Sequence, residues 1–274
     1  MTDSDGEQTA YDATYAEFDS PLMRQLRHDS YTRDVGQHSW LDAEELLRDL
    51  APLRLSSETR LLDLGCGAAG PLAYVVESSG CLGTGIDVSA DAIGSGQARA
   101  ATLGLDDRIS LHEGDLNDPL PFRDASFDAV MSWDAVLHVR DRLALFREVA
   151  RVIAAEGRFL FTDAGVVTGA VSNEEIGARA MHGFTQFVPP GFNERALEEA
   201  GFLVLDQQDR TRDVISSAKG RLAARAAHRD ELLRHEGEET FRRQERYLEA
   251  VVDLSQRGAV SRMLYLGERS RSAV

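Results

Sequence analysis

Five short apolar runs punctuate the first two thirds of the chain, at about 59–64, 82–87, 109–113, 127–133 and 158–163. Each has the length of a strand. The first leads into an acid and then glycines, as a buried parallel strand turning into a helix does. The stretches between them carry helical periodicity. They predict helices over 68–78, over about 90–103 behind a capping Ser89, and over about 141–154, with Gly157 just beyond. Strands alternating with helices predict an α/β fold with a right-handed, doubly wound, mostly parallel sheet.

The flanks differ. Tyr11, Tyr15, Phe18, Leu22 and Leu26 recur at helical spacing, so 11–28 reads as a short helical lid broken near Pro21. Residues 31–40 read as a loop, and 41–50 as an amphipathic helix ended by Pro52. Downstream, 164–191 holds glycines, Met181, Phe184, Phe187 and a Pro189-Pro190 stop. That is long for a plain connection and predicts a lid or substrate loop. A short helix at 193–200 leads to a sixth strand at 202–206. A helical stretch over 214–256, broken at Gly237, precedes a last strand at 261–267, expected antiparallel at the sheet's edge. The chain thus divides into an N-terminal helical lid (1–52), a core (53–163), an insert (164–192) and a C-terminal part of the core with a long helical insertion (193–274).

Composition narrows the classes. Apolar residues make up 43% of the 274, enough for an ordinary core. A net charge of −16 disfavours nucleic acid as a partner. The arginines of 210–246 are interspersed with acids, so they read as a solvated helical face. Two cysteines, Cys66 and Cys81, have neither metal-ligand nor disulfide spacing, and no metal site is expected. No signal-peptide pattern and no apolar run of about 20 residues occurs, so no membrane association is expected. A cytoplasmic protein is the default; composition leaves the oligomeric state open.

The candidate chemistry centres on Asp63-Leu64-Gly65-Cys66-Gly67-Ala68-Ala69-Gly70, where the first strand turns into a helix. Gly65 and Gly67 permit a sharp turn and close approach of a nucleotide-like ligand. A dinucleotide would suit the glycines. Asp63, two residues ahead of Gly65, tilts the reading to S-adenosylmethionine, whose ammonium and sulfonium suit a nearby acid. Asp87, followed by Val88, ends the second strand, where a carboxylate can grip both ribose hydroxyls. Gly114-Asp115-Leu116 follows the third strand, where a carboxylate can accept from an adenine amino group. Each acid also has a plainer reading, as a cap or turn residue.

Taken together, Asp63-Leu64-Gly65-Cys66-Gly67, Gly85-Ile86-Asp87, Gly114-Asp115 and the run from Pro121-Phe122 to Phe127-Asp128 resemble the class I S-adenosylmethionine-dependent methyltransferases. The resemblance holds in register over about 61–163. It implies a Rossmann-like, seven-stranded sheet whose last strand is antiparallel, with cofactor contacts from Gly65, Asp87, Asp115 and Ser132. The run Ser132-Trp133-Asp134-Ala135-Val136-Leu137-His138 further resembles phosphoethanolamine and related small-amine N-methyltransferases. Those enzymes pair a histidine at this place with a lid tyrosine. Here His138 matches the histidine and Tyr15 the tyrosine, with Asp134 available to hold a cationic substrate. His138 has two readings, proton acceptor or shaper of the pocket. His28, His38, His112 and His182 read as surface or loop residues.

The resemblance implies a small-molecule acceptor, first an amine nitrogen, with oxygen, carboxylate or carbon as the runner-up in a tailoring enzyme of secondary metabolism. A nicotinamide-dependent oxidoreductase and a non-catalytic cofactor-binding module are the alternatives. One departure matters. Thr162-Asp163-Ala164 has no tyrosine, and Met181-His182-Gly183-Phe184-Thr185 has no arginine or tyrosine, whereas phosphobase enzymes grip phosphate with such residues. The insert is apolar and aromatic instead, which suits a larger, less charged acceptor rather than phosphoethanolamine.

Overall fold

A computed structural model of the protein describes residues 15–180 and 183–271. The expected lid helix over 11–28 therefore falls partly outside the described residues, as do Met181 and His182.

Seven strands among these residues form one sheet in the order β3-β2-β1-β4-β5-β7-β6. They are β1 (Arg60–Leu64), β2 (Leu82–Asp87), β3 (Ile109–Glu113), β4 (Phe127–Trp133), β5 (Ile153–Val167), β6 (Phe202–Asp209) and β7 (Val260–Arg269). Pairs among β1 to β5 are parallel. β7 is antiparallel to both β5 and β6. The helices that cover this sheet are α1 (Pro21–Ser30), α2 (Ala43–Leu50), α3 (Gly70–Ser79), α4 (Ala90–Leu103), α5 (Arg142–Val152), α6 (Asn173–Arg179), α7 (Phe192–Glu199), α8 (Thr211–Ala227) and α9 (Arg229–Gln256). Two apolar layers pack on its faces. One gathers Phe146, Phe159, Phe161 and Tyr265; the other gathers Leu61, Leu72, Met131 and Trp133.

Several expectations need correction. β7 lies inside the sheet and β6 forms the edge. Leu264, Tyr265 and Leu266 are buried, whereas β6 alternates and leaves Leu203 59% exposed, the pattern of a strand with one side unpaired. Near Pro21 the expectation stands: turn residues 16–20 interrupt the helical spacing, and Pro21 starts α1. It occupies the first turn, where its missing N–H is not needed, behind a Ser20 side chain that accepts from the Met23 N–H. The insert is not a plain loop. β5 runs on to Val167, and α6 follows behind a capping box of Ser172 and Glu175. The long C-terminal helical stretch is interrupted twice, at His228 between α8 and α9 and at Gly237, whose φ of 79° and ψ of 163° are not helical.

Candidate active site

Chain order reverses between β1 and β4, so the loops leaving their C-terminal ends diverge and open a crevice. The turn after β1 forms one wall. Gly65 and Gly67 have φ of 71° and 53°. A Cβ on Gly65 would collide with the Cβ of Ala135, and one on Gly67 with the Tyr15 hydroxyl. Only glycine fits either place. The Gly65 and Cys66 N–H groups donate to the Ile86 carbonyl at 2.9 and 3.1 Å, which pins the turn to β2.

Acids end three successive strands around this turn. Asp87 accepts from the Gly67 N–H at 2.8 Å and the Ser89 N–H at 3.0 Å, while the Ser89 hydroxyl caps α4. Asp115 accepts at 2.8 Å from both the backbone and the side-chain amide of Asn117, forming a tight Asx turn. Both acids line one cavity, with Asp63, Gly65, Cys66, Gly67, Val88 and Leu116. Two expected cofactor residues sit elsewhere. Ser132 is fully buried and donates to the Leu64 carbonyl at 2.8 Å, tying β4 to β1. Gly114 donates its N–H to the Asp87 carbonyl at 2.9 Å and lies against Ile86, off the cavity wall.

Asp63 is 2% exposed, and burial, reinforced by the neighbouring Asp87 charge, raises its carboxyl to a pKa of about 8. A carboxyl held there is poised to ionise when a cation arrives. Burial likewise pushes the Cys66 thiol far above its ordinary value, so Cys66 is an inert packing residue.

His138 closes a short 3₁₀ turn, Val136–His138, after β4. Its Nδ1 lies 2.8 Å from the Phe184 carbonyl. A carbonyl can only accept, so Nδ1 carries the proton and Nε2 is the basic nitrogen. Burial lowers its pKa, which keeps the ring neutral at physiological pH. The insert is held against this turn. The Gln186 N–H donates to the Leu137 carbonyl at 2.7 Å, and the buried Arg142 binds Asp163, the Asn193 side chain at 2.9 Å and the Gln186 carbonyl at 2.6 Å. Tyr15 is buried over the Gly67 turn, its ring 5.2 Å from Phe18 and 5.8 Å from His38. Tyr15 and His138 line the same cavity.

Asp134 lines the same cavity. Expected to hold a cationic substrate, it has its carboxylate engaged by the protein. It accepts from Arg262 Nε at 2.7 Å, from the Thr162 hydroxyl at 2.9 Å and from the Trp40 N–H at 3.1 Å. These bonds hold a non-glycine residue at a φ of 55°. Arg262 also pairs with Glu45, so α2, β4 and β7 meet at one buried triad. Burial raises the Glu45 carboxyl to a pKa of about 7.

The cavity wall beside His138 is charged as well as aromatic. Arg179, Arg221, Tyr247, Trp40 and His38 line the cavity beside His138 and Phe184. Arg179 ends α6, Arg221 lies on α8 and Tyr247 on α9. Arg179 stands just ahead of the insert run that lacks arginine, and the other two come from segments distant in sequence. No local motif marks them. Among the described residues no group of three or more His, Cys, Asp or Glu is placed to hold a metal, and no helix is long and apolar enough to cross a membrane.

Comparison with known proteins places this geometry. Residues 62–161 match the family described as a methyltransferase domain. The chain is 32% identical over 155 residues to the glycine/sarcosine/dimethylglycine N-methyltransferase of Actinopolyspora halophila, covering 57% of this chain and 27% of that one. It is 30% identical over 177 residues to the 27-O-demethylrifamycin SV methyltransferase of Amycolatopsis mediterranei, covering 61% and 64%. The chain thus spans from about a quarter to just under two thirds of these relatives' length. Its fold matches that of Haemonchus contortus phosphoethanolamine N-methyltransferase 2 in complex with S-adenosyl-L-methionine. The TM-score is 0.76 at 16% identity, over 94% of this chain and 60% of that one.

Proposed function

We propose, from the match of residues 62–161 to a methyltransferase domain, that the chain methylates a small-molecule acceptor, preferentially at an amine nitrogen, with S-adenosylmethionine as donor. The observation that carries this is the single cavity uniting the glycine turn, the three strand-end acids and His138. The residues present fit the donor. Gly65 and Gly67 line the cavity without side chains, which leaves the turn's backbone open to close approach. Asp63 suits the ammonium, Asp87 the ribose hydroxyls and Asp115 the adenine amino group. A carboxylate has about four acceptor sites, so the two backbone bonds to Asp87 leave it able to grip hydroxyls as well.

When bound, S-adenosylmethionine supplies an electrophilic methyl group on a sulfonium. The chain does the rest. The enclosed cavity holds the acceptor in line, and proximity lowers the barrier. His138 Nε2 takes the proton that the methylated nitrogen sheds. Tyr15 packs over the turn and closes the N-terminal side against water. Asp134 acts through Trp40 and Arg262, which it positions. The similarity to an O-methyltransferase favours a second reading, transfer to oxygen, with His138 taking a hydroxyl proton.

Incubation with S-adenosylmethionine and a panel of amines, phenols, sugars, carboxylic acids and phosphoethanolamine, followed by mass spectrometry, tests this. A gain of one methylene on an amine supports the first reading, and on a hydroxyl the second. Cofactor binding with no gain on any acceptor would indicate a non-catalytic module. Methylation of phosphoethanolamine would sink the expectation that it is not the substrate.

A further inference from the structure

Among the described residues four arginines are buried: Arg27, Arg142, Arg179 and Arg262. Three have carboxylate partners. Arg27 pairs with Asp19 and Asp34, Arg142 with Asp163, and Arg262 with Glu45 and Asp134. Arg179, 5% exposed, has none among the described residues. Its Nη1 donates to the Tyr247 hydroxyl at 3.0 Å and its Nη2 to the Ala164 carbonyl at 3.2 Å, both neutral acceptors. A buried guanidinium without a counter-charge is costly, and a chain of net charge −16 has acids to spare. The absence of an anion here is therefore specific to the place.

That place is the cavity wall. Half-buried Arg221 stands in the same situation. Its partners are the Tyr31 hydroxyl and the carbonyls of His38 and Ser39, with no carboxylate among the described residues. Both guanidiniums rest on one ring, Arg221 at 4.6 Å and Arg179 at 5.5 Å from the centroid of Trp40. The Trp40 backbone is itself anchored, its N–H to Asp134 and its carbonyl to the Ser217 hydroxyl at 2.7 Å. Two cations are thus held against one fixed aromatic ring. Arg179 and His138 line the same cavity, so this wall and the proton acceptor belong to one chamber.

We propose that Arg179 and Arg221 form an anion subsite within the acceptor chamber, and that the acceptor carries a carboxylate which supplies their missing counter-charge. The inference rests on the methyltransferase reading of the cavity. A planar guanidinium fork matches a carboxylate in bidentate geometry, and the Trp40 and Tyr247 rings provide apolar flanks for the carbon skeleton. The acceptor is thereby oriented, its anionic end on the arginines and its nucleophilic end towards the glycine turn.

The test uses the full chain saturated with S-adenosylhomocysteine. Thermal shift and titration calorimetry compare carboxylates (dimethylglycine, aminobenzoate, indoleacetate) with their primary amides, and with phosphoethanolamine as a phosphate-bearing probe. The expected result is preference for at least one carboxylate over its amide by about tenfold or more, because the amide leaves the guanidinium without a counter-charge. Arg179→Gln and Arg221→Gln should each abolish that preference while leaving S-adenosylhomocysteine affinity within about twofold. Unliganded Arg179→Gln should melt no lower than the wild type, since it removes an uncompensated buried charge; a merely structural arginine would lower the melting temperature. Equal binding of each acid and amide, retention of the preference in Arg221→Gln, or stabilisation by none of the carboxylates overturns the proposal. Stabilisation by phosphoethanolamine alone overturns the carboxylate assignment. Carboxylate stabilisation without any S-adenosylhomocysteine binding would instead sink the methyltransferase reading and leave the subsite standing.

Discussion

Asp63→Asn is the substitution whose consequences follow most directly from the structure. The Asp63 carboxyl has a pKa of about 8 in the fold against 3.8 as an ordinary group. At 1.36 kcal/mol per pH unit, ionising it in place costs on the order of 6 kcal/mol. That is comparable to the whole stability of many domains. The sign is definite. Below the unfolded value both states hold the proton and folding bears no penalty. Above it the unfolded chain gives up the proton while the folded chain keeps it. The stabilising difference is therefore lost as pH rises from about 4 to about 8, at roughly 1.4 kcal/mol per pH unit. Asparagine, which is neutral and nearly the same shape, removes this dependence. Urea unfolding of unliganded wild type and variant from about pH 5 to about pH 8 should show the variant gaining relative stability at roughly that slope. Parallel profiles would refute the electrostatic account of Asp63.

The same group predicts a linkage with the cofactor. A ligand ammonium seated against Asp63 requires the ionised carboxylate, so binding near pH 7 should release close to one proton. Calorimetry of S-adenosylhomocysteine in buffers of different ionisation enthalpy reads that number directly. Its affinity should rise with pH up to about 8, by at most tenfold per unit. In Asp63→Asn both the proton release and the rise should vanish, and affinity at pH 8 should fall. Proton release unchanged in the variant would assign the ammonium to another group.

Other expectations can be checked with equal economy. His138→Gln should lower turnover by about 10²- to 10⁴-fold while leaving S-adenosylhomocysteine binding within a fewfold; single-turnover kinetics separates the two, and unchanged chemistry would reduce His138 to a shaper of the pocket. Gly67→Ala, at a φ of 53°, should destabilise by about 1–2 kcal/mol from backbone strain alone. It should also weaken cofactor affinity by displacing Tyr15, an effect that Tyr15→Phe in the same chain should partly reverse in calorimetry. Arg262→Met strands the Asp134 and Glu45 carboxylates without their cation and should destabilise by about 3–5 kcal/mol in urea unfolding. EDTA should leave turnover unchanged; a loss restored by magnesium would contradict a metal-free mechanism.

Local signals carry the parallel half of the fold. The buried strands, the helix cap at Ser89 and the glycine turn are short-range features, and each is legible because a few neighbouring residues decide it. The acids Asp63, Asp87 and Asp115 are readable for the same reason: the alternation of strand and helix places every strand end on one side of the sheet. Resemblance to a known family then supplies the identity of the ligand that such a turn accepts.

Long-range packing decides the remainder. β6 and β7 look alike as apolar runs, and only the full sheet shows which is paired on both sides. Asp134 looks available in sequence because the residue that neutralises it, Arg262, lies 128 positions away. Tyr15 can be matched to a lid position, yet its contact with Gly67 depends on the N-terminal segment folding back over the turn. The acceptor chamber is the clearest case. Its charged wall is assembled from α6, α8 and α9, and the arginines of those helices follow no spacing that distinguishes them from solvated surface residues. Sequence by itself determined the sheet core, the glycine turn and the acids around it, since these depend on periodicity and backbone conformation over a few residues. Tertiary structure alone decided which charges are neutralised and which face the cavity, because a charge's role depends on its spatial neighbours.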